Sequence, residues 1–329
     1  MFDGGVIDNP PIKPPDGVDW KSIPIGVGNH VHICDEVDPN RGLTFQRVDN
    51  VLPFIRLPRA MSLNIFSQVG HYSIIKALHA CEKLKKTSLV RSDQKRIFGD
   101  YGTKVMYTCT GVQVSRRSKM VLEAAPYMEA LPRLHWRVLM HSMIMAERCF
   151  EAIGDSVVLS HIHHAKSAVP FQTMKLPHTN ITSPLKYYGG IAFGCNVFLR
   201  CHTDADYTMS MAQIHLKDKD TYHINDDIVV YFCFPTLGVA VPLRPGDYLL
   251  FNALIPHCVS SRCRHNDSIM CVSMYLKTAV VGMNNNDLSL TNNQAMLAKR
   301  YHSIVTDQIN CHNRQQHLTA RYKKFYASL

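Results

Sequence analysis

The sequence predicts an α+β protein: a β-rich core of sandwich or barrel type, with flanking helices on its N-terminal side. Three observations predict this. Residues 61–153 carry apolar positions near the 3.6-residue period, and after Ser156 the texture changes to short β-rich runs separated by turn residues. Hydrophobic residues make up 46% of the 329, enough for a sizeable core, which excludes global disorder. Prolines crowd the start, 8 of the 17 lying within residues 1–58. That composition predicts an extended stretch wrapping the surface rather than a domain of its own.

Taken in order, residues 1–60 form the Pro-rich extended segment, with at most short strands such as Leu43 to Val48. Residues 61–156 form a helical, basic support region. His71 to Lys86 places Ile74, Ile75, Leu78, Cys81 and Leu84 on one helical face, with Lys83, Lys85 and Lys86 at the dipole-favoured end. A second helix is expected over Ser118 to Ala125, and a third from Leu134 to Ile153, closed by Gly154. Residues 157–283 form the β core. Its strands are expected at Ile191–Arg200, Tyr207–Leu216, Ile228–Phe234, Gly238–Pro242, Asp247–Asn252 and Ser268–Lys277. Residues 284–329 return to a polar and basic helical tail.

The most apolar run, Ile228 to Leu243, is 16 residues long and is broken by Pro235 and Gly238, so it predicts two buried strands rather than a membrane span. The N-terminus lacks a basic segment followed by an apolar one. Eleven cysteines without Cys-x-x-Cys pairs suit reduced core thiols. These features predict an intracellular protein of nucleus or cytoplasm, not secreted, with no membrane association and no clear protein partner.

The net charge is +10, and it is uneven. Residues 71–150 hold 14 Lys+Arg against 6 Asp+Glu, residues 299–329 hold 6 against 1, and residues 190–280 hold 7 against 8. A basic flank around a near-neutral core points to a polyanionic partner, DNA or RNA, beside a pocket, or equally to a solvated helix surface. Lys83, Lys85 and Lys86, with Arg91, Lys95 and Arg96, form one basic group, and Arg116, Arg117 and Lys119 another. Arg321, Lys323 and Lys324 alternate with Tyr322, Phe325 and Tyr326, a pattern suited to phosphate contact with base stacking, or equally to an amphipathic helix.

Two segments carry chemistry. In Cys201-His202-Thr203-Asp204, at a predicted strand end, His202 and Asp204 point the same way on an extended backbone. In Leu243 to Asn252, Pro245-Gly246 makes a turn, a buried strand follows, and Pro256-His257 presents a second imidazole 55 residues after His202. Two imidazoles and one carboxylate are the facial donor set of non-haem Fe(II) sites. Three protein ligands on one face leave three positions open, two for a bidentate co-substrate and one for O2.

Residues 187–280 resemble the double-stranded β-helix family of Fe(II)/2-oxoglutarate dioxygenases, through YYGGIAFGCNVFLRCHTDADYTMSMAQIHL and VAVPLRPGDYLLFNALIPHCVS. Within that family the chain looks most like the TET/JBP-type nucleic-acid oxidases. The resemblance implies a jelly-roll core and His202, Asp204 and His257 as iron ligands. It also implies O2 as oxidant and decarboxylation of 2-oxoglutarate to succinate, coupled to hydroxylation or oxidative demethylation at a C–H site. Such enzymes place an Arg roughly ten to seventeen residues after the distal His, where its planar fork grips the far carboxylate of 2-oxoglutarate. That window here contains no Arg or Lys. Arg264, Arg262 and Lys277 are the available cations, in that order, and another chelating reductant is the alternative co-substrate.

Tyr207, Thr208 and Asp206 follow the first motif and are candidates to touch substrate or to support the ligands, or are ordinary strand and turn residues. Cys201 and Cys258 flank the histidines but face the opposite side of their strands, so packing accounts for them better than a zinc site. His161, His163 and His164 lack a carboxylate or Cys at matching spacing. Competing functions are a protein or small-molecule hydroxylase, and a non-catalytic β-helix binding module.

Overall fold

The computed structural model describes residues 2–7, 31–34, 42–47, 53–58, 106–114, 122–124, 143–144, 146–147, 149–150, 153, 156–169, 186–195, 199, 201–207, 209–216, 228–259 and 269–281. Its strands are β1 (Phe2–Ile7), β2 (His32–Ile33), β3 (Gly42–Arg47), β4 (Phe54–Leu57), β5 (Met106–Val114), β6 (Leu122–Ala124), β7 (Gly190–Cys195), β8 (Ser210–Leu216), β9 (Val230–Phe234), β10 (Val239–Leu243), β11 (Tyr248–Phe251), β12 (Cys258–Val259) and β13 (Ile269–Tyr275). Among the described residues, helices α1 (Ser156–Ala168) and α2 (Thr278–Val281) accompany them, with further helical positions between Met143 and Ile153.

The strands make two sheets. The larger has the order β1-β3-β4-β11-β8-β13-β7-β5-β6, and the smaller β12-β9-β10-β2. From β8 onward the chain crosses to the smaller sheet for β9 and β10, returns for β11, crosses again for β12 and returns for β13. The turns that permit this are written locally. Pro235–Leu237 forms a 3₁₀ turn between β9 and β10, ended by Gly238 at φ 69°. Pro245-Gly246 opens β11, with Gly246 at φ 91°. Both are left-handed positions that glycine adopts without a Cβ clash. The Asp247 carboxylate accepts the Arg244 backbone N–H at 2.9 Å and pins the second turn.

Alternation along the strands sends one set of side chains between the sheets. Ala212, Ile214, Leu249 and Phe251 of the larger sheet meet Phe232, Phe234, Val241 and Leu243 of the smaller, all buried. Phe54 stacks on Phe234 at 5.4 Å, and Phe232 tilts against Phe251 at 4.7 Å. The fully buried Arg56 donates from Nη1 to the Pro242 carbonyl at 3.3 Å, tying β4 to β10 across the core.

Several expectations need correction. The Pro-rich segment does not merely wrap the surface: β4 is buried throughout and pairs with β11 inside the larger sheet. The helix expected over Ser118 to Ala125 is not formed. Leu122–Ala124 is instead strand β6 paired with β5, and β5 runs through a region expected to be helical, because cross-strand partners override local preference. Ser156–Ala168, read as the start of the β texture, is helix α1. Its buried positions Val158, Ala165 and Val169, with half-buried Ile162, follow a 4-3-4 spacing. Strands β3, β7 to β11 and β13 overlap the runs where the alternation and turns put them, whereas β12 was not expected. Helical positions from Met143 to Ile153 match the C-terminal half of the third expected helix. The helix expected over His71 to Lys86 and the tail 284–329 lie outside the described residues. No helix among the described residues is long and apolar enough to cross a membrane.

Candidate metal centre

A short antiparallel bridge brings the two histidines together. His202 and His257 pair across it, the His202 N–H donating to the His257 carbonyl at 3.0 Å and the His257 N–H to the His202 carbonyl at 2.9 Å. The loop from β11 to His257 is shaped by Asn252. Its side-chain oxygen accepts the Leu254 N–H at 3.1 Å, and its carbonyl accepts the Ile255 N–H at 3.1 Å. The Asp204 N–H donates to the Ala253 carbonyl at 2.9 Å, which fastens the carboxylate's strand to that loop. A second bridge, between Asp206 and Lys277, joins the same segment to the end of β13.

As a result one ligand atom each from His202, Asp204 and His257 lies within 4.8 Å of the others, the one such group among the described residues. The imidazole centroids are 4.5 Å apart, and His202 Nε2 is 3.5 Å from Asp204 Oδ2. His257 is 4% exposed, stacked on Phe232 at 5.6 Å and edge-on to Phe251 at 4.9 Å. Its Nδ1 donates to the Ile255 carbonyl at 2.8 Å, which fixes the tautomer and leaves the Nε2 lone pair for a cation. Burial, reinforced by the charge of His202, lowers its pKa to about 4, so the ring is a neutral donor at physiological pH.

The carboxylate is held differently. Lys277 Nζ donates to Asp204 Oδ1 at 2.9 Å and lies 2.7 Å from Asp206 Oδ1. Burial works to raise the Asp204 pKa, but the hydrogen bond with His202 and the Lys277 ammonium outweigh it and hold the group ionised, well below the usual carboxylate range. Asp206 is buried and accepts a hydrogen bond from Ser210 Oγ. Burial raises its pKa in spite of Lys277. The donor set fits a divalent ion that prefers nitrogen and oxygen ligands: one neutral imidazole with a fixed tautomer, a second beside it, and one ionised carboxylate.

Other sequence candidates are dispersed. Asp206, which a turn reading would place in solvent, is buried beneath Lys277. Lys277, the last of the three proposed co-substrate cations, is the one the described residues place against the triad. Tyr207 donates its backbone N–H to the Leu276 carbonyl at 2.7 Å, and its ring stacks on His164 at 5.7 Å. His163 and His164 are exposed on α1 and are not members of the ligand group. Cys201 and Cys258 are buried in an apolar cluster with Val31, Cys233 and Ala240, as packing predicts. Thr208, Arg262, Arg264, Lys83, Lys85, Lys86, Arg116 and Arg117 lie outside the described residues. Sequence reasoning named Asp206 as a candidate support but missed its pairing with Ser210 and Lys277.

No protein-family model and no curated protein matches the chain. Solved structures do align with it. NgTET1 in complex with 5mC DNA aligns over 84% of this chain and 89% of its own, at 10% identity and a TM-score of 0.46. OsALKBH1 aligns over 68% and 97%, at 14% identity and 0.33. A prolyl-4-hydroxylase from Pseudomonas putida aligns over 68% and 92%, at 12% identity and 0.31.

Proposed function

We propose that the chain is an Fe(II)-dependent dioxygenase on a double-stranded β-helix core, which uses 2-oxoglutarate and O2 to hydroxylate or oxidatively demethylate a C–H site on a nucleic-acid base. The observation that carries the reading is the convergence of His202, Asp204 and His257 within 4.8 Å. A ferrous ion held there supplies the redox chemistry that couples O2 reduction and 2-oxoglutarate decarboxylation to C–H oxidation.

The chain's own residues do the rest. His257 presents Nε2 from a dry aromatic cage, so its position does not depend on solvent. Asp204 stays ionised, with Oδ1 engaged by Lys277 and Oδ2 beside His202. Lys277 is therefore a positioning residue for the carboxylate, and the far carboxylate of the co-substrate is assigned to Arg264, with Arg262 next. The net charge of +10 supports a polyanionic substrate, and a target base must leave its stack to reach a buried centre. An intracellular location, in nucleus or cytoplasm, goes with such a substrate.

The test is succinate release by the full chain with Fe(II), 2-oxoglutarate and O2, with and without single- or double-stranded oligonucleotides. Release is expected to fall to background in His202→Ala and Asp204→Ala, and turnover that persists in both refutes the proposal. Stimulation by oligonucleotide that weakens steeply with salt supports the substrate class. Salt-independent activity on a protein or small molecule assigns the other.

A further inference from the structure

The bridged segments that carry the two histidines also carry two thiols. Cys201 precedes His202, Cys258 follows His257, and a third thiol, Cys233, faces Cys258 in the register of β12 and β9. All three are buried in one cluster, and none forms a disulfide. The Cys258 thiol is within hydrogen-bonding reach of both others.

The backbone ladder decides which pair is closer. His202 and His257 exchange both backbone hydrogen bonds, so one residue further along these antiparallel strands Cys201 stands opposite Cys258. Hydrogen-bonded and non-hydrogen-bonded pairs alternate, which makes Cys201/Cys258 a non-hydrogen-bonded pair, with Cα atoms about 4.5 Å apart and side chains at their closest. The backbone N–H and C=O of Cys258 point the other way, toward β9. Cys258 and Cys233 are thus a hydrogen-bonded pair, with Cα atoms about 5.5 Å apart and side chains held further from each other. A disulfide spans Cα separations of about 4.4–6.8 Å, and the closer side chains favour Cys201 with Cys258.

We propose that Cys201 and Cys258 are an oxidative modification site, a cross-strand dithiol that hydrogen peroxide converts to a disulfide. One thiol sulfur attacks a peroxide oxygen, the O–O bond breaks, and a sulfenic acid and one water form. The second sulfur displaces the sulfenic oxygen as a second water, and the S–S bond closes. Two thiols are oxidised and one peroxide is reduced to two waters. Burial of both sulfurs means that local opening of the bridge sets the pace. A pair at the short end of the Cα range gives a bond that thiols reduce readily. The proposal stands on the ladder and does not depend on iron.

The test treats the full chain with hydrogen peroxide, blocks remaining thiols by alkylation, and maps linked peptides by mass spectrometry without reduction. The Cys201–Cys258 peptide is expected in roughly tenfold excess over any Cys258–Cys233 peptide. It should vanish on treatment with dithiothreitol and persist in Cys233→Ser. The wild-type map decides the matter even where a Cys201→Ser chain does not fold. Recovery of Cys201 and Cys258 as alkylated thiols, or dominance of the Cys258–Cys233 link, overturns the proposal.

Discussion

The two sides of the candidate metal centre are built on opposite principles. His257 is buried between Phe232 and Phe251, neutral, with its tautomer fixed by a backbone carbonyl. Asp204 is about a third exposed and charged, and Lys277 holds it, itself braced by buried Asp206. One ligand is positioned by packing, which salt does not disturb. The other is positioned by charge, which salt can reach. The difference teaches that removing a ligand on one side damages the fold as well as the site, and on the other side only the site.

The largest effect separates the two sides directly. Asp204→Ala and His257→Ala are each expected to weaken divalent-metal binding by roughly 100-fold or more, since even residues behind the ligands are worth 10–100-fold. Only His257→Ala should also destabilise the metal-free protein, by about 2–4 kcal/mol, because it empties a place in the aromatic core. Metal titration and denaturant unfolding of both variants check this. Equal stability loss in the two would erase the distinction.

Protonation probes the packed side. The folded pKa of His257 is about 4, below the ordinary 6.5, so the unfolded chain binds the extra proton between those values. Its contribution, about 3 kcal/mol at most, is fully present above pH 6.5 and is lost as pH falls toward 4. Unfolding of the metal-free chain across pH 4–7 should show this slope, and His257→Phe should flatten it.

On the charged side, Lys277→Met leaves buried Asp206 without its ammonium. A loss of about 1–3 kcal/mol is expected, reduced by the partial exposure of Lys277, with most of it recovered on adding Asp206→Asn. A double-mutant cycle measures the coupling, and additive losses would contradict it. The smallest change is expected at Leu254, 62% exposed in the loop before His257, where Leu254→Ser should move stability by no more than about 0.5 kcal/mol. Circular dichroism melting suffices there.

The triad was legible because its chemistry is written in local spacing. His202 and Asp204 sit two apart in sequence, and Pro245-Gly246 marks the turn that sends β11 toward His257. Strands β7 to β11 and β13 were legible for the same reason: alternation and turns are local signals. What escaped was set by partners distant in sequence. Strand β4 and Arg56 read as part of a Pro-rich wrapper because nothing local tells that β11 will accept them. β6 escaped for another reason: its partner β5 is near in sequence, with Val114 facing Leu122, but cross-strand pairing overrides the local helical preference. The Asp206–Lys277 ion pair joins residues brought together only by a bridge between strand ends, so no motif announces it.

The most direct measurement of the central claim is Fe(II) bound per chain after anaerobic reconstitution of the full chain and of His202→Ala, Asp204→Ala and His257→Ala. The account predicts one equivalent in the parent and almost none in each variant. An iron-free parent, or variants that keep the full equivalent, would contradict it.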